Sequence, residues 1–321
     1  MKRNFKEEDI INLAEKNFSF PEDPRVIIGP GDDCAQIRTG ASSLIVTTDE
    51  AVEGTHYLER FADPAGLACK LMRMNLSDLA GMGAVRPVSC VIGAGLRADT
   101  PLDFLETMFS QLRKEADYFG LSIAGGNTTA ARENHFYITV WGEPAGNIIK
   151  RSGTEAGDLL CSVGPLGEAR AGLDILDSGD RFEKAGYPEL IDSFWRPAPR
   201  FGEGKTIADN GLAHAMLDNS DGLLRSAKIL AEMSGVRAVL EPGAECCSKP
   251  LGKYCDAHKK DWREYVISGG EDYGLVFSAS PDKENDLRRL LPGVSIVGRF
   301  EPGAGVEVKN YSGAYGSFEH F

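Results

Sequence analysis

Hydrophobic positions switch between two spacings along the 321-residue chain. In RVII (25–28) and SLIVTTD (43–49), apolar and β-branched residues run together toward acidic residues, which predicts strands. Residues 5–17 keep an amphipathic helical spacing. In ADPAGLACKLMRMNLSDLAGMGA (62–84), Leu67, Leu71 and Met74, with Ala68 and Met72, recur every three to four residues. This predicts a helix that Asp63 can cap and whose first turn suits Pro64. VSCVIGAGL (88–96) reads as a strand, and TPLDFLETMFSQLRKEADYFG (100–120) as a helix capped by Thr100, opened by Pro101 and stopped by Gly120. LSIAGGNTT (121–129) predicts a strand running into a Gly-rich loop, and HFYITVWGE (135–143) a further strand.

The polar, Gly-rich stretch at 144–157 interrupts these patterns and places a domain boundary near residue 150, giving domains 1–149 and 150–321. Beyond it the spacing alternates again. Strands are expected at 159–164, 213–218, 236–240, 273–279 and 294–300, and helices at 168–176, 222–235 and 282–291. Both halves mix strands and helices, which points to α/β or α+β for both.

Composition narrows the functions. An apolar fraction of 42% supports packed cores, and the net charge of −13 opposes non-specific binding to nucleic acid or anionic membrane. A polyanionic ligand would have to bring cations or meet local donors. No run is long and apolar enough to span a membrane, and the first residues lack the apolar segment of a secretory signal. The seven cysteines form no CxxC pair and read as reduced thiols of a cytoplasmic protein; Cys246, Cys247 and Cys255 lack a second cluster that would complete a zinc site.

The acids gather beside glycines and hydroxyls: GPGDD (29–33), TTDEAVEGTH (47–56), NLSD (75–78), DNSDG (218–222) and GGEDY (269–273). Each alone also suits a turn or a helix cap. Together they provide the carboxylate and hydroxyl oxygens that Mg²⁺ prefers, and Mg²⁺ commonly binds with substrate phosphates. GGNTT (125–129) either brings backbone N–H groups to a phosphate or forms a plain turn. GEGKT (202–206) has Pro199 where a phosphate-binding P-loop needs glycine and follows no strand, so that reading is set aside. His56 is one of only five histidines and follows Asp49 closely; a local hydrogen bond is its alternative reading.

In this order the clusters resemble the thiamine-monophosphate kinase family, within the superfamily of aminoimidazole-ribonucleotide synthetase and selenophosphate synthetase. The matching stretches are GPGDDCAQI, TTDEAVEGTHY, NLSDLAGMGA, GGNTT, RSGTEAGD, RPAPR, DNSDGL, SGGEDYGLVF and the terminal FEHF. The resemblance implies an α/β N-terminal domain whose strands form a homodimer, an α+β C-terminal domain beside it, and ATP-dependent conversion of thiamine monophosphate to thiamine diphosphate. It implies Mg²⁺ ligation by Asp33, Thr47, Thr48, Asp49, Asp78, Asp218 and Asp221, with Asp49, Asp78 and Asp218 central to catalysis. Gly126, Asn127, Arg151 and Ser220 match nucleotide contacts, and His56, Glu271 and Phe318 match substrate contacts. The chain departs from the family pattern at Asn127 and Ser226, where Asp is usual, at Asn219, where an aliphatic residue is usual, at GEARAG (167–172), and at Ser317 and Phe318. These departures leave two further readings: a superfamily enzyme with another small acceptor, or a nucleotide-binding paralogue without turnover.

Overall fold

A computed structural model describes residues 24–29, 31–180, 184, 186–311 and 313. The helix expected over 5–17 and the candidate Phe318 lie outside these residues. The first sheet contains β1 (Val26–Ile28), β2 (Ala35–Thr39), β3 (Ser42–Val52), β4 (Gly83–Leu96), β5 (Ser122–Ala130) and β6 (His135–Ile148). Their order is β1-β2-β3-β6-β4-β5, and the β4–β5 pair is parallel.

Helix α1 (Pro64–Gly81) packs across this sheet and reaches the second one. Most of α1 is buried, because apolar residues surround it on several sides instead of forming one stripe. Asp63 caps it by accepting from the Ala65 N–H at 3.1 Å. The helix ends at Gly81, earlier than the sequence pattern predicts, and Gly83 at φ +92° turns the chain directly into β4. Helix α2 (Leu102–Phe119) packs on α1 and ends at Gly120 in the left-handed conformation, as its glycine predicts. Its N-cap is Pro101 rather than Thr100, whose hydroxyl instead donates to Asn134 at 2.6 Å.

Two more expectations need correction. GGNTT does not form a loop: it continues β5, paired with β4 along its length. β6 runs to Ile148, past the expected end at 143, so the irregular seam shrinks to the residues before β7 (Leu159–Val163).

The second sheet adds β8 (Ala215–Asp218), β9 (Arg237–Leu240), β10 (Leu275–Ala279), β11 (Ser295–Glu301) and β12 (Gly305–Val308), in the order β12-β9-β11-β7-β10-β8. Alternation along its strands builds two cores. Leu160, Leu217 and Val276 enter one, while Cys161, Met216, Leu275 and Phe277 enter the other. Helices α3 (Glu168–Ser178), α4 (Pro188–Trp195), α5 (Phe201–Asp209), α6 (Leu223–Ser234), α7 (Lys249–His258), α8 (Trp262–Ser268) and α9 (Glu284–Leu290) cover these faces and the end of α1. Among the described residues no helix is long and apolar enough to cross a membrane.

GEGKT lies inside α5, where Gly204 packs against the α1 backbone. A Cβ on Gly204 would stand 2.6 Å from the Ala80 carbonyl oxygen, whereas Gly202 faces open space. Gly204→Ala should therefore cost about 1–3 kcal/mol of stability, and Gly202→Ala should be neutral or slightly stabilising. Urea unfolding of both variants checks the contrast.

Candidate active site

The acid clusters meet where the first sheet, α1 and β8 converge. Asp33, 7% exposed, follows β1; Asp49 lies in β3, Asp78 in α1, and Asp218, 2% exposed, ends β8. The Asp218 N–H donates to Asp33 Oδ2 at 3.2 Å, and a Cβ on Gly81 would sit 2.3 Å from that same oxygen. This small residue lets α1 approach the two acids. Thr47 donates to Asp78 at 2.7 Å, and Asn75 Oδ1 accepts the Asp49 N–H at 2.9 Å.

Burial pushes all four carboxyls toward the neutral form. The neighbouring Asp218 and Asp32 add to this at Asp33; Asp218, Asp49 and Asp33 do so at Asp78; Asp221, Glu50 and Glu271 do so at Asp49; and Asp221 does so at Asp218. Arg151 opposes this effect. Its Nε donates to Asp33 at 2.6 Å and its Nη2 pairs with the same carboxylate, while its backbone N–H is 3.3 Å from the Asp32 carboxylate. Asp32 thus fixes the backbone of the residue whose side chain neutralises Asp33.

Ser220 donates to Asp218 at 3.1 Å. The Ser77 hydroxyl lies beside Asp218, yet neither Ser77 Oγ nor Asp218 Oδ2 makes a well-formed hydrogen bond. The donors are hard oxygens suited to Mg²⁺, and these two atoms have unused bonding capacity. Among the described residues, however, no three His, Cys, Asp or Glu groups already stand in a metal-binding arrangement. The donor types fit a cation, but the cage is not preformed.

Other candidates are placed differently. The Thr48 hydroxyl donates to the Ile138 carbonyl at 2.9 Å, on the β6 side, away from Thr47 and Asp49 on the alternating face. His56 Nδ1 accepts the Val52 N–H at 3.0 Å, which fixes the ring at the end of β3. Gly126 and Asn127 lie on β5, separated from β3 by β6 and β4. Glu271 belongs to the loop before β10 and forms an ion pair with Lys70 at 2.6 Å. Asp272 accepts from the Gly167 and Ala169 N–H groups at 2.6 and 3.0 Å, thereby holding the start of α3.

The AIR synthase related protein, N-terminal domain model matches residues 31–143. The thiamine-monophosphate kinase of Mycobacterium tuberculosis (strain ATCC 25618 / H37Rv) is 34% identical over 78% of this chain and 74% of its own length. The enzyme of that name from Aquifex aeolicus (strain VF5) is 30% identical over 91% of this chain and 92% of its own. The chain belongs to the thiamine-monophosphate kinase family. The solved complex of AaThiL with AMPPCP and TMP is similar across 98% of this chain and 97% of its own, at 28% identity and a TM-score of 0.86.

Within this thiamine-monophosphate kinase family member, two departures noted in the sequence are neighbours. Buried Ser226 donates to Asn219 Oδ1 at 3.1 Å, so α6 braces the chain just after Asp218. Sequence reasoning missed Lys70 and gave Asn75, within NLSD, no role of its own. The available signal was polar residues within the apolar pattern around Leu67, Leu71 and Met74. All seven cysteines are unpaired.

The raised carboxyls set a pH dependence. Asp33, Asp49 and Asp272 move from 3.8 to about 7, and Asp218 to about 6. The folded chain therefore holds protons that the unfolded chain has released. The contribution is present below the unfolded value and is lost as pH rises through the folded values. The melting temperature of the metal-free protein should thus fall between about pH 5 and about pH 8. Calorimetry in chelator would contradict this with a flat or rising profile.

Proposed function

We propose that this chain phosphorylates thiamine monophosphate to thiamine diphosphate, with ATP as phosphoryl donor. The carrying observation is the convergence of Asp33, Asp49, Asp78 and Asp218 at one site in a chain of this family. The acceptor is a phosphate monoester, largely ionised near neutral pH, and needs no base to make it nucleophilic. The difficulty is repulsion: an anionic acceptor must approach an anionic donor beside a cluster of carboxylates. Arg151 supplies one positive charge there.

Asp33, Thr47, Thr48, Asp49, Asp78, Asp218 and Asp221 would hold Mg²⁺, with Asp49, Asp78 and Asp218 central to catalysis. The Thr48 hydroxyl donates to the Ile138 carbonyl and keeps its oxygen lone pairs for a cation. When bound, Mg²⁺ neutralises phosphate charge and aligns donor with acceptor for in-line transfer. Ser220 and Arg151 contact the nucleotide. Gly126 and Asn127 join them across roughly three strand spacings, about 14 Å, a reach comparable with an extended nucleoside triphosphate. His56, Glu271 and Phe318 form the acceptor side. The division into domains 1–149 and 150–321 puts this site at their junction, and the protein works in the cytoplasm.

β5 is the edge of the first sheet and exposed throughout. Such an edge favours pairing with another strand, which supports a homodimer formed there. Sedimentation should give a dimer for the native chain, and Ile123→Lys should shift it toward monomer; a native monomer refutes the interface.

The activity test is ADP release with thiamine monophosphate, with Mg²⁺ and with chelator. Turnover should require both the acceptor and Mg²⁺. Asp49→Asn and Asp78→Asn should each lower kcat by more than about 100-fold while the chain stays folded. Near-native turnover in both removes them from the metal set, and a phosphorylated enzyme intermediate refutes direct transfer.

A further inference from the structure

Lys70 is the least expected charge in the protein. Its side chain is 1% exposed within α1, with Nζ 2.6 Å from the Glu271 carboxylate and 3.5 Å from the centre of the Phe194 ring. Burial pushes its pKa down, and Glu271 opposes that shift. An apolar side chain would fill this position at lower desolvation cost, since buried ion pairs seldom outperform well-packed hydrophobic replacements.

The partner loop explains the lysine. Glu271 and Tyr273 both adopt left-handed backbone conformations, at φ +63° and +50°, which non-glycine residues seldom adopt. The loop backbone is held independently of Lys70. The Glu271 and Tyr273 N–H groups donate to the Ser220 and Asn219 carbonyls at 2.6 and 3.1 Å, and Asp272 is anchored to the start of α3. What remains to be fixed is the Glu271 side chain, which is 28% exposed and close enough to Asp49 for its charge to raise that carboxyl. Without a cation beside it, Glu271 would be driven away from the acidic site.

We propose that Lys70 is a positioning residue that holds the Glu271 carboxylate on the acceptor side of the site. This rests on the kinase reading above. Lys70 does not itself touch substrate; it acts through Glu271. Its loss should therefore weaken acceptor binding selectively.

The experiment is steady-state kinetics on the full chain, comparing native protein, Lys70→Met, Glu271→Gln and the double variant. Lys70→Met should raise KM for thiamine monophosphate about tenfold or more, as expected for a lost charged contact, while KM for ATP stays within about twofold of native. Glu271→Gln should behave similarly, and the double variant should be no worse than Glu271→Gln alone, because one interaction is being removed twice. A purely structural lysine would lower the melting temperature and active fraction without this selective KM change. An unchanged acceptor KM in folded Lys70→Met, or multiplying effects in the double variant, overturns the assignment. If Lys70→Met fails to fold, the double variant, with neither charge left unpaired, still permits the comparison with Glu271→Gln. An acceptor KM matching Glu271→Gln supports the proposal, and a much higher one overturns it. Native protein that turns over no thiamine monophosphate overturns the kinase reading and this proposal with it; native turnover with unaffected variants overturns the Lys70 assignment alone.

Discussion

Burying Asp33 and Asp218 beside Asp49 and Asp78 opposes ionisation at all four, because desolvation and mutual repulsion both favour the protonated forms. Protons, Arg151 and a bound cation are the available ways to offset that charge. The local structure is arranged around the second: Asp32 anchors the Arg151 backbone, and the Arg151 side chain reaches Asp33. A site with this imbalance has a physical reason to take up cations together with phosphates, since each supplies what the other lacks.

Helix α1 makes the arrangement possible. It brings Lys70, Asn75, Ser77, Asp78 and Gly81 to the strands and loops that bear the other acids, while its apolar residues lock it against the first sheet and its neighbouring helices. Asn75 positions the Asp49 backbone, and Lys70 meets Glu271 in the loop before β10. The helix thereby links the two sheets, and it transmits core packing into the placement of charge.

Much of the site was legible in the sequence because clustered acids beside glycines and hydroxyls are a local pattern. The clusters around Asp33, Asp49, Asp78 and Asp218 stand out on that basis, the family resemblance singles out these four residues, and they converge. Thr48 shows what a local pattern leaves open. It neighbours Thr47 in sequence, yet strand alternation turns its hydroxyl to β6. GGNTT shows the same: its glycines read as a loop, but pairing with β4 carries them into an edge strand. Thr100 had the right chemistry for a cap and was taken by Asn134. In each case a partner distant in sequence decided between conformations that local propensity left nearly equal.

By itself, the sequence determined the alternation of strands and helices, the acidic character of the loops, and glycine stops such as Gly120, because these depend on side-chain spacing and backbone preference over a few residues. Only the tertiary structure decided which acids share one site, that Arg151 neutralises Asp33, that Ser226 meets Asn219, and that Lys70 is buried against Glu271. Electrostatic interaction and desolvation depend on distance through space, and folding brings Asp33 to Asp218 across 185 positions of chain.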